Sequence, residues 1–196
     1  MPDTLVLGFD TSAAHCAAAL LSGDRLLAHR FQDMAKGQAE QLFPLLEQVL
    51  ADAGKGWADL AAIGVGTGPG NFTGVRIAVA AARGLALSLG IPAVGVPVTE
   101  ALALRAPRPC RIIVPARAGQ VIWQDFGAGD SAPQIAAPDA LPPGPPVHPV
   151  TFAELAPAIA AIAQARAADP GPRPAPVYLR PADTAPARDR GPVILT

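Results

Sequence analysis

Short apolar runs at residues 5–9, 16–21 and 26–31 predict three strands, with the polar turn Ser22-Gly23-Asp24 joining the last two as a hairpin. The period then changes. Leu42, Leu45, Leu46, Val49 and Leu50 recur at helical spacing and predict a helix over residues 39–53, with Phe43 widening the stripe to a second face. A strand at 60–65 follows, then a helix at 75–89 whose only polar residues are Arg76, Arg83 and Ser88. A strand at 93–96 and a helix at 99–104 complete this half. Hairpin-linked strands followed by alternating helices and strands predict a mixed α/β sheet.

The pattern loosens near Arg105. Of the 23 prolines only Pro2, Pro44, Pro69, Pro92 and Pro97 precede that point. Beyond it, strands are expected at 111–114 and 120–126 around a turn at 116–119. Residues 127–149 read as a long irregular connection. A helix at 151–168 has Thr151 or its neighbour as N-cap and Glu154 in capping-box position. Residues 169–196 are proline-rich and are expected to form an extended arm or to lack order, with one strand near 177–179. The organisation expected is a regular lobe at 1–105 and a shortened, proline-rich lobe at 106–196.

Composition excludes several classes. The chain has 196 residues, 51% of them hydrophobic, and a net charge of −1, which suits a globular protein and lacks the basic field of one that grips nucleic acid alone. The opening apolar run is too short, and too acidic at Asp3 and Asp10, for a secretion signal. Arg76, Arg83, Pro92 and Pro97 interrupt the longest apolar stretches, so no membrane-spanning helix is expected and a cytoplasmic location follows. Cys16 and Cys110 lack metal-type spacing and are expected as buried free thiols. His15, His29 and His148 lack a partner at ligand spacing and read as ordinary surface or loop residues.

The most specific local signal is GTGPGNFTGVRIAVAAARGLA at 66–86, a glycine-rich turn leading from a strand into a helix. Gly66, Gly68, Gly70 and Gly74 allow positive φ or close backbone approach, and Pro69 stiffens the turn. A phosphate-binding P-loop is excluded because Val75 and Arg76 follow the last glycine where lysine and a hydroxyl residue are required. The spacing also fails the dinucleotide fingerprint. Two readings stay open: a turn that packs a helix on a sheet, or a backbone anion site.

The segments GFDTS at 8–12, GPGNFTGVR at 68–76, the helix through ARGLA, and IPAVGV at 91–96 together resemble the bacterial TsaB (YeaZ) family. The likeness is weaker in VPARAGQVIWQDF and in the YLRP segment, and Pro115 stands where many members have aspartate. The resemblance implies an actin-like, Hsp70-like fold with a ribonuclease H-like core. It implies a non-catalytic paralogue of TsaD, needed to form N6-threonylcarbamoyladenosine at position 37 of tRNAs reading ANN codons. The implied partners are a TsaD-like protein in a heterodimer, a TsaE-like ATPase, a second copy when alone, and tRNA only through the complex; no membrane is implied. The metal-binding histidines of the catalytic paralogue fall at Val98 and Leu102, which cannot hold a metal. The resemblance therefore implies no catalytic residue, no metal, and no cofactor on this chain alone, with ATP or ADP at the complex interface.

Within the superfamily the first strand ends facing nucleotide phosphate and its metal, which makes Asp10, Thr11, Ser12, Gly68 and Gly70 the candidate cofactor residues. The competing reading is a turn in which Asp10 and Ser12 satisfy local amides. The two long helices are the expected partner surface, through Leu42, Phe43, Leu46, Ile77, Ala78, Ala81 and Leu85, with Arg76 and Arg83 bordering it or simply solvated. The rival functions are a stand-alone ATPase or phosphotransferase of the same superfamily, and a peptidase. The second lacks any Ser, His and Asp constellation.

Overall fold

Strand β1 (Leu5–Asp10) is buried at every residue, because it lies in the middle of a sheet that is covered on both faces. The computed structural model describes residues 4–127 and 129–179. β1 pairs antiparallel with β2 (His15–Ser22), which pairs antiparallel with β3 (Arg25–Asp33). On its other side β1 pairs parallel with β4 (Ala62–Gly66), and β4 with β5 (Ala93–Val96). The order β3-β2-β1-β4-β5 gives a mixed sheet in an α/β lobe.

Alternation along β1 sorts its side chains between two layers. Leu5, Leu7 and Phe9 pack with Leu42, Leu45, Leu46, Val49 and Leu50 of α1 (Gln38–Asp52) and with Val75, Val79 and Ala82 of α2 (Phe72–Leu89). Val6 faces the other way, onto Leu155, Ile159 and Ala163 of α4 (Leu155–Arg166). The lobe boundary expected near Arg105 therefore marks the start of a second sheet but not the end of the first lobe's core. The chain returns after that sheet to place α4 over the open face.

α4 sits close because the sheet has no side chains beneath it at two points. A β-carbon on Gly8 would overlap the backbone of Ala156 and Ala160, and one on Gly64 would overlap Ala163 and Ile159. The helix is preceded by a separate turn of 3-10 helix at Phe152–Glu154, and Thr151 makes no side-chain cap. This corrects the expected capping box: the 3-10 turn intervenes and makes Glu154 the residue that enters α4.

α2 begins three residues earlier than the apolar pattern suggests, because Asn71 caps it by accepting from the amides of Thr73 and Gly74. It ends at Gly90, whose φ of 67° is left-handed. By length and hydropathy α2 is apolar enough to cross a bilayer, contrary to the expectation drawn from Arg76 and Arg83. Its stripe of Gly74, Val75, Ala78, Val79 and Ala82 is buried in the core.

The short helix α3 (Val98–Ala103) leads to β6 (Cys110–Pro115), β7 (Val121–Phe126) and β8 (Gln134–Ala136), an antiparallel sheet. β8 lies inside the segment expected to be irregular. Arg111 anchors the chain just beyond β8: the guanidinium bonds both oxygens of Asp125 at 2.6 and 2.8 Å, donates to the Pro142 carbonyl at 2.6 Å, and lies over the Trp123 ring. Buried Thr99 of α3 bonds Gln124 of β7 at 2.5 Å and joins the two sheets. Residues 169–179 form an extended arm, with a backbone bond at Val177 but no strand; the rest of the proline-rich tail lies outside the described residues.

Replacing Gly8 with valine should lower stability by about 3 kcal/mol, since the added carbons meet α4 backbone that cannot yield. Gly84, which has open space around its α-carbon on α2, provides the control. Gly84→Ala should raise stability by up to about 1 kcal/mol. Urea denaturation midpoints of the two variants measure both effects.

Candidate functional site

The two sequence motifs meet at the end of β1. Thr11 donates its hydroxyl to the Gly74 carbonyl at 2.6 Å, and the Asn71 amide donates to the Ser12 carbonyl at 2.5 Å. This contact needs three positions without side chains. A β-carbon on Gly66 would fall on the Asp10 carboxyl group, one on Gly70 on the backbone of Ser12, and one on Gly74 on the Thr11 carbonyl. Gly68 has the other use of glycine, a φ of 85° at the turn.

Asp10 is fully buried. Its Oδ1 accepts from the Ser12 amide at 2.8 Å and the Ser12 hydroxyl at 2.7 Å, and lies 2.8 Å from His15 Nε2. Its Oδ2 faces Gly66 without a polar partner. The local-turn reading of Asp10 and Ser12 thus describes the observed bonds. His15 is not the surface or loop residue expected: it is buried at the start of β2, with its ring against Phe31 and Phe152. The sequence signal was available, because an Asp five residues before a His across a tight β1-β2 turn can face it. His29 and His148 are half-buried, and burial holds the His29 imidazole below its ordinary value against a backbone hydrogen bond with Ala153 that acts the other way.

Four amides at the start of α2 are also committed internally. Those of Asn71, Thr73, Gly74 and Val75 bond Ser12 O, the Asn71 side chain twice, and Asn71 O respectively. These four bonds are those of a turn that packs a helix on a sheet. Beside the loop lies a cleft of about 570 Å³ between the sheets, lined by Ser12, Gly70, Val98, Val114, Arg117 and Phe152 among others. Pro115 lies on its wall too. Ser12 and Gly70 reach it; Asp10 and Thr11 are buried behind its surface, and Asp10 offers it no oxygen. The residues present do not fit the magnesium nucleotide that the wider fold family would place here.

The expected partner residues divide. Leu42, Leu46 and Ala78 are core residues, because they lie on the helix faces that meet the sheet; this corrects their assignment to the surface. Ile77, Ala81 and Leu85 are half-buried, and Phe43 is 44% exposed. Leu87, not anticipated, is 83% exposed on the outer face of α2. Arg83 is solvated, whereas Arg76 bonds the Tyr178 hydroxyl and covers the Phe72 ring. Val98 is buried and Leu102 half-buried on α3. Cys16 and Cys110 are buried free thiols, as expected.

A family model described as TsaD, tRNA N6-adenosine threonylcarbamoyltransferase, matches residues 32–143. The tRNA threonylcarbamoyladenosine biosynthesis protein TsaB of Escherichia coli K12 is 32% identical over 126 residues, which are 62% of this chain and 54% of that protein. An uncharacterized protein of Mycobacterium tuberculosis H37Rv is 33% identical over 159 residues, 76% of this chain and 75% of that one. The structure of YeaZ from Pseudomonas aeruginosa superposes with a TM-score of 0.72 at 27% identity, covering 90% of this chain and all of that one.

The chain belongs to the TsaB (YeaZ) family. In sequence it spans about half the length of the first curated TsaB-family relatives it matches, 54% of the E. coli protein and 41% of a Mycobacterium leprae relative.

Two measurements probe the buried site. Asp10→Ala should cost about 3 kcal/mol by leaving the Ser12 donors and His15 without their acceptor, and Asp10→Asn, which retains Oδ1, should cost less. Denaturant titration distinguishes them. Burial, and then the Asp10 charge, push the Cys16 thiol from 9.0 up to about 11. The unfolded thiol therefore ionises first, so this contribution to stability is complete below pH 9 and disappears as pH rises towards 11. Cys16→Ala should remove that part of the decline in unfolding midpoint over the same interval.

Proposed function

We propose that the chain is a non-catalytic subunit of the bacterial system that forms N6-threonylcarbamoyladenosine at position 37 of tRNAs reading ANN codons. It dimerises with a TsaD-like protein and supports its activity. The names of its TsaB relatives support the pathway. The observation that carries the accessory role is the internal bonding of the first turn and the start of α2: Asp10 Oδ1 and the amides of Asn71, Thr73, Gly74 and Val75 bond the protein itself. The aliphatic residues Val98 and Leu102 support a chain that supplies neither metal nor nucleotide chemistry by itself. Nucleotide, as ATP or ADP, belongs at the interface of the complex, where a TsaE-like ATPase joins, and tRNA is reached through the complex in the cytoplasm.

The partner surface in this reading is the outer face of α1 and α2. Phe43 and Leu87 are large apolar side chains open to solvent, and Ile77, Ala81 and Leu85 lie half-open beside small residues that let another helix approach closely. Without its partner the same face self-associates into a homodimer.

Ala81→Glu should weaken heterodimer formation about a hundredfold, since an unpaired carboxylate in a close-packed helix interface costs about 3 kcal/mol. Ala78→Glu, buried against the sheet, should instead unfold the chain. Size-exclusion chromatography with the TsaD-like protein, alongside circular dichroism, separates the two. A folded Ala81→Glu chain with normal complex formation would move the interface elsewhere. Depletion in cells should lower threonylcarbamoyladenosine in tRNA, read by nucleoside mass spectrometry; ATP turnover by the purified chain would favour a stand-alone ATPase.

A further inference from the structure

The glycine loop touches one more element, the arm that follows α4. Pro174 is buried, and its α-carbon would lie 3.3 Å from a β-carbon on Gly95 of β5. The Val177 amide donates to the Thr67 carbonyl at 2.8 Å, and the Val177 carbonyl passes over Gly68. Tyr178 then stacks on Phe72, with ring centroids 5.1 Å apart, and its hydroxyl accepts from Arg76 Nε at 2.8 Å. The Arg76 guanidinium lies 3.7 Å from the centre of the same Phe72 ring. Val177, Tyr178 and Leu179 all line the cleft.

We infer that residues 174–179 are a strap, a wall of the cleft supplied by the chain's own arm and latched by Tyr178 against Phe72 and Arg76. The physical case has two parts. A single backbone bond to Thr67 fixes the register of the arm but is too weak alone to hold an extended, proline-rich segment against its conformational freedom. The stacked Phe72, Arg76 and Tyr178 add aromatic and cation-π contact from the first turns of a helix whose start is already fixed by Asn71. Val98, Val114 and Ile122 line the same cleft as the strap. Releasing it opens an apolar slot, so access to the cleft is governed by this latch.

The test is made in the full chain. Tyr178→Ala should accelerate hydrogen exchange of the Val177 amide about tenfold while leaving the β1 amides unchanged, since local opening leaves the core intact. The same variant should bind the apolar dye 8-anilinonaphthalene-1-sulfonate more strongly than the unmodified chain does. Tyr178→Phe, which keeps the stack and loses the hydroxyl, should fall between them. An unchanged Val177 exchange rate with unchanged dye binding in Tyr178→Ala overturns the strap. If Tyr178→Ala also accelerates the β1 amides, Arg76→Gln decides: faster Val177 exchange over an unchanged β1 supports the latch, and unchanged Val177 exchange overturns it.

Discussion

Close approach of backbone to backbone at the end of β1 is the constraint on which the rest of the site depends. The Asp10-Thr11-Ser12 turn lies directly on Gly66, Gly70 and Gly74, with no side chain between them. That contact lets Thr11 bond Gly74 and lets Ser12 receive the Asn71 amide, which fixes the start of α2. The helix start in turn positions Phe72 and Arg76. A polar group buried in such a place must find partners inside the protein, and Oδ1 of Asp10 finds three. The same geometry leaves Ser12 and Gly70, one from each loop, on the wall of the cleft.

The β1 face towards α4 obeys the same logic. Gly8 and Gly64 act as recesses for a helix, so one sheet carries glycines for helix packing and glycines for loop packing within a few residues of each other. The alternation of Leu5, Leu7 and Phe9 with Val6 and Gly8 places a helical layer on each side, and two thick layers leave little of this sheet's centre in contact with water.

The strands and helices of the first half were legible because each carries its own period, and the stripe from Leu42 to Leu50 coincides with the buried face of α1, although Leu42 and Leu46 were also assigned to the partner surface. What that stripe could not reveal is which side of α2 faces the sheet. With small apolar residues all round, no single face stands out, and Ala78 was placed outside although it is buried. β8 was hidden for a different reason: it is three residues long and is held by pairing with β7 and by the Arg111 anchor at Pro142, which is distant in sequence. His15 was missed because its partner, Asp10, lies five residues away across the β1-β2 turn instead of at helical ligand spacing. The glycine loop was recognisable as a feature, but only the destinations of its amides separate a packing turn from an anion site.

That α4 completes the first sheet bears on the order in which this chain can fold. During synthesis β1 and β4 emerge early, with the recesses at Gly8 and Gly64 open and Val6 and Ala62 uncovered until residues 155–166 have left the ribosome. Contacts this far apart in sequence form slowly, and the nascent sheet presents an apolar face in the interval. The second sheet is thus enclosed within the first lobe's folding unit, and the last regular element among the described residues seals the strand that appeared first.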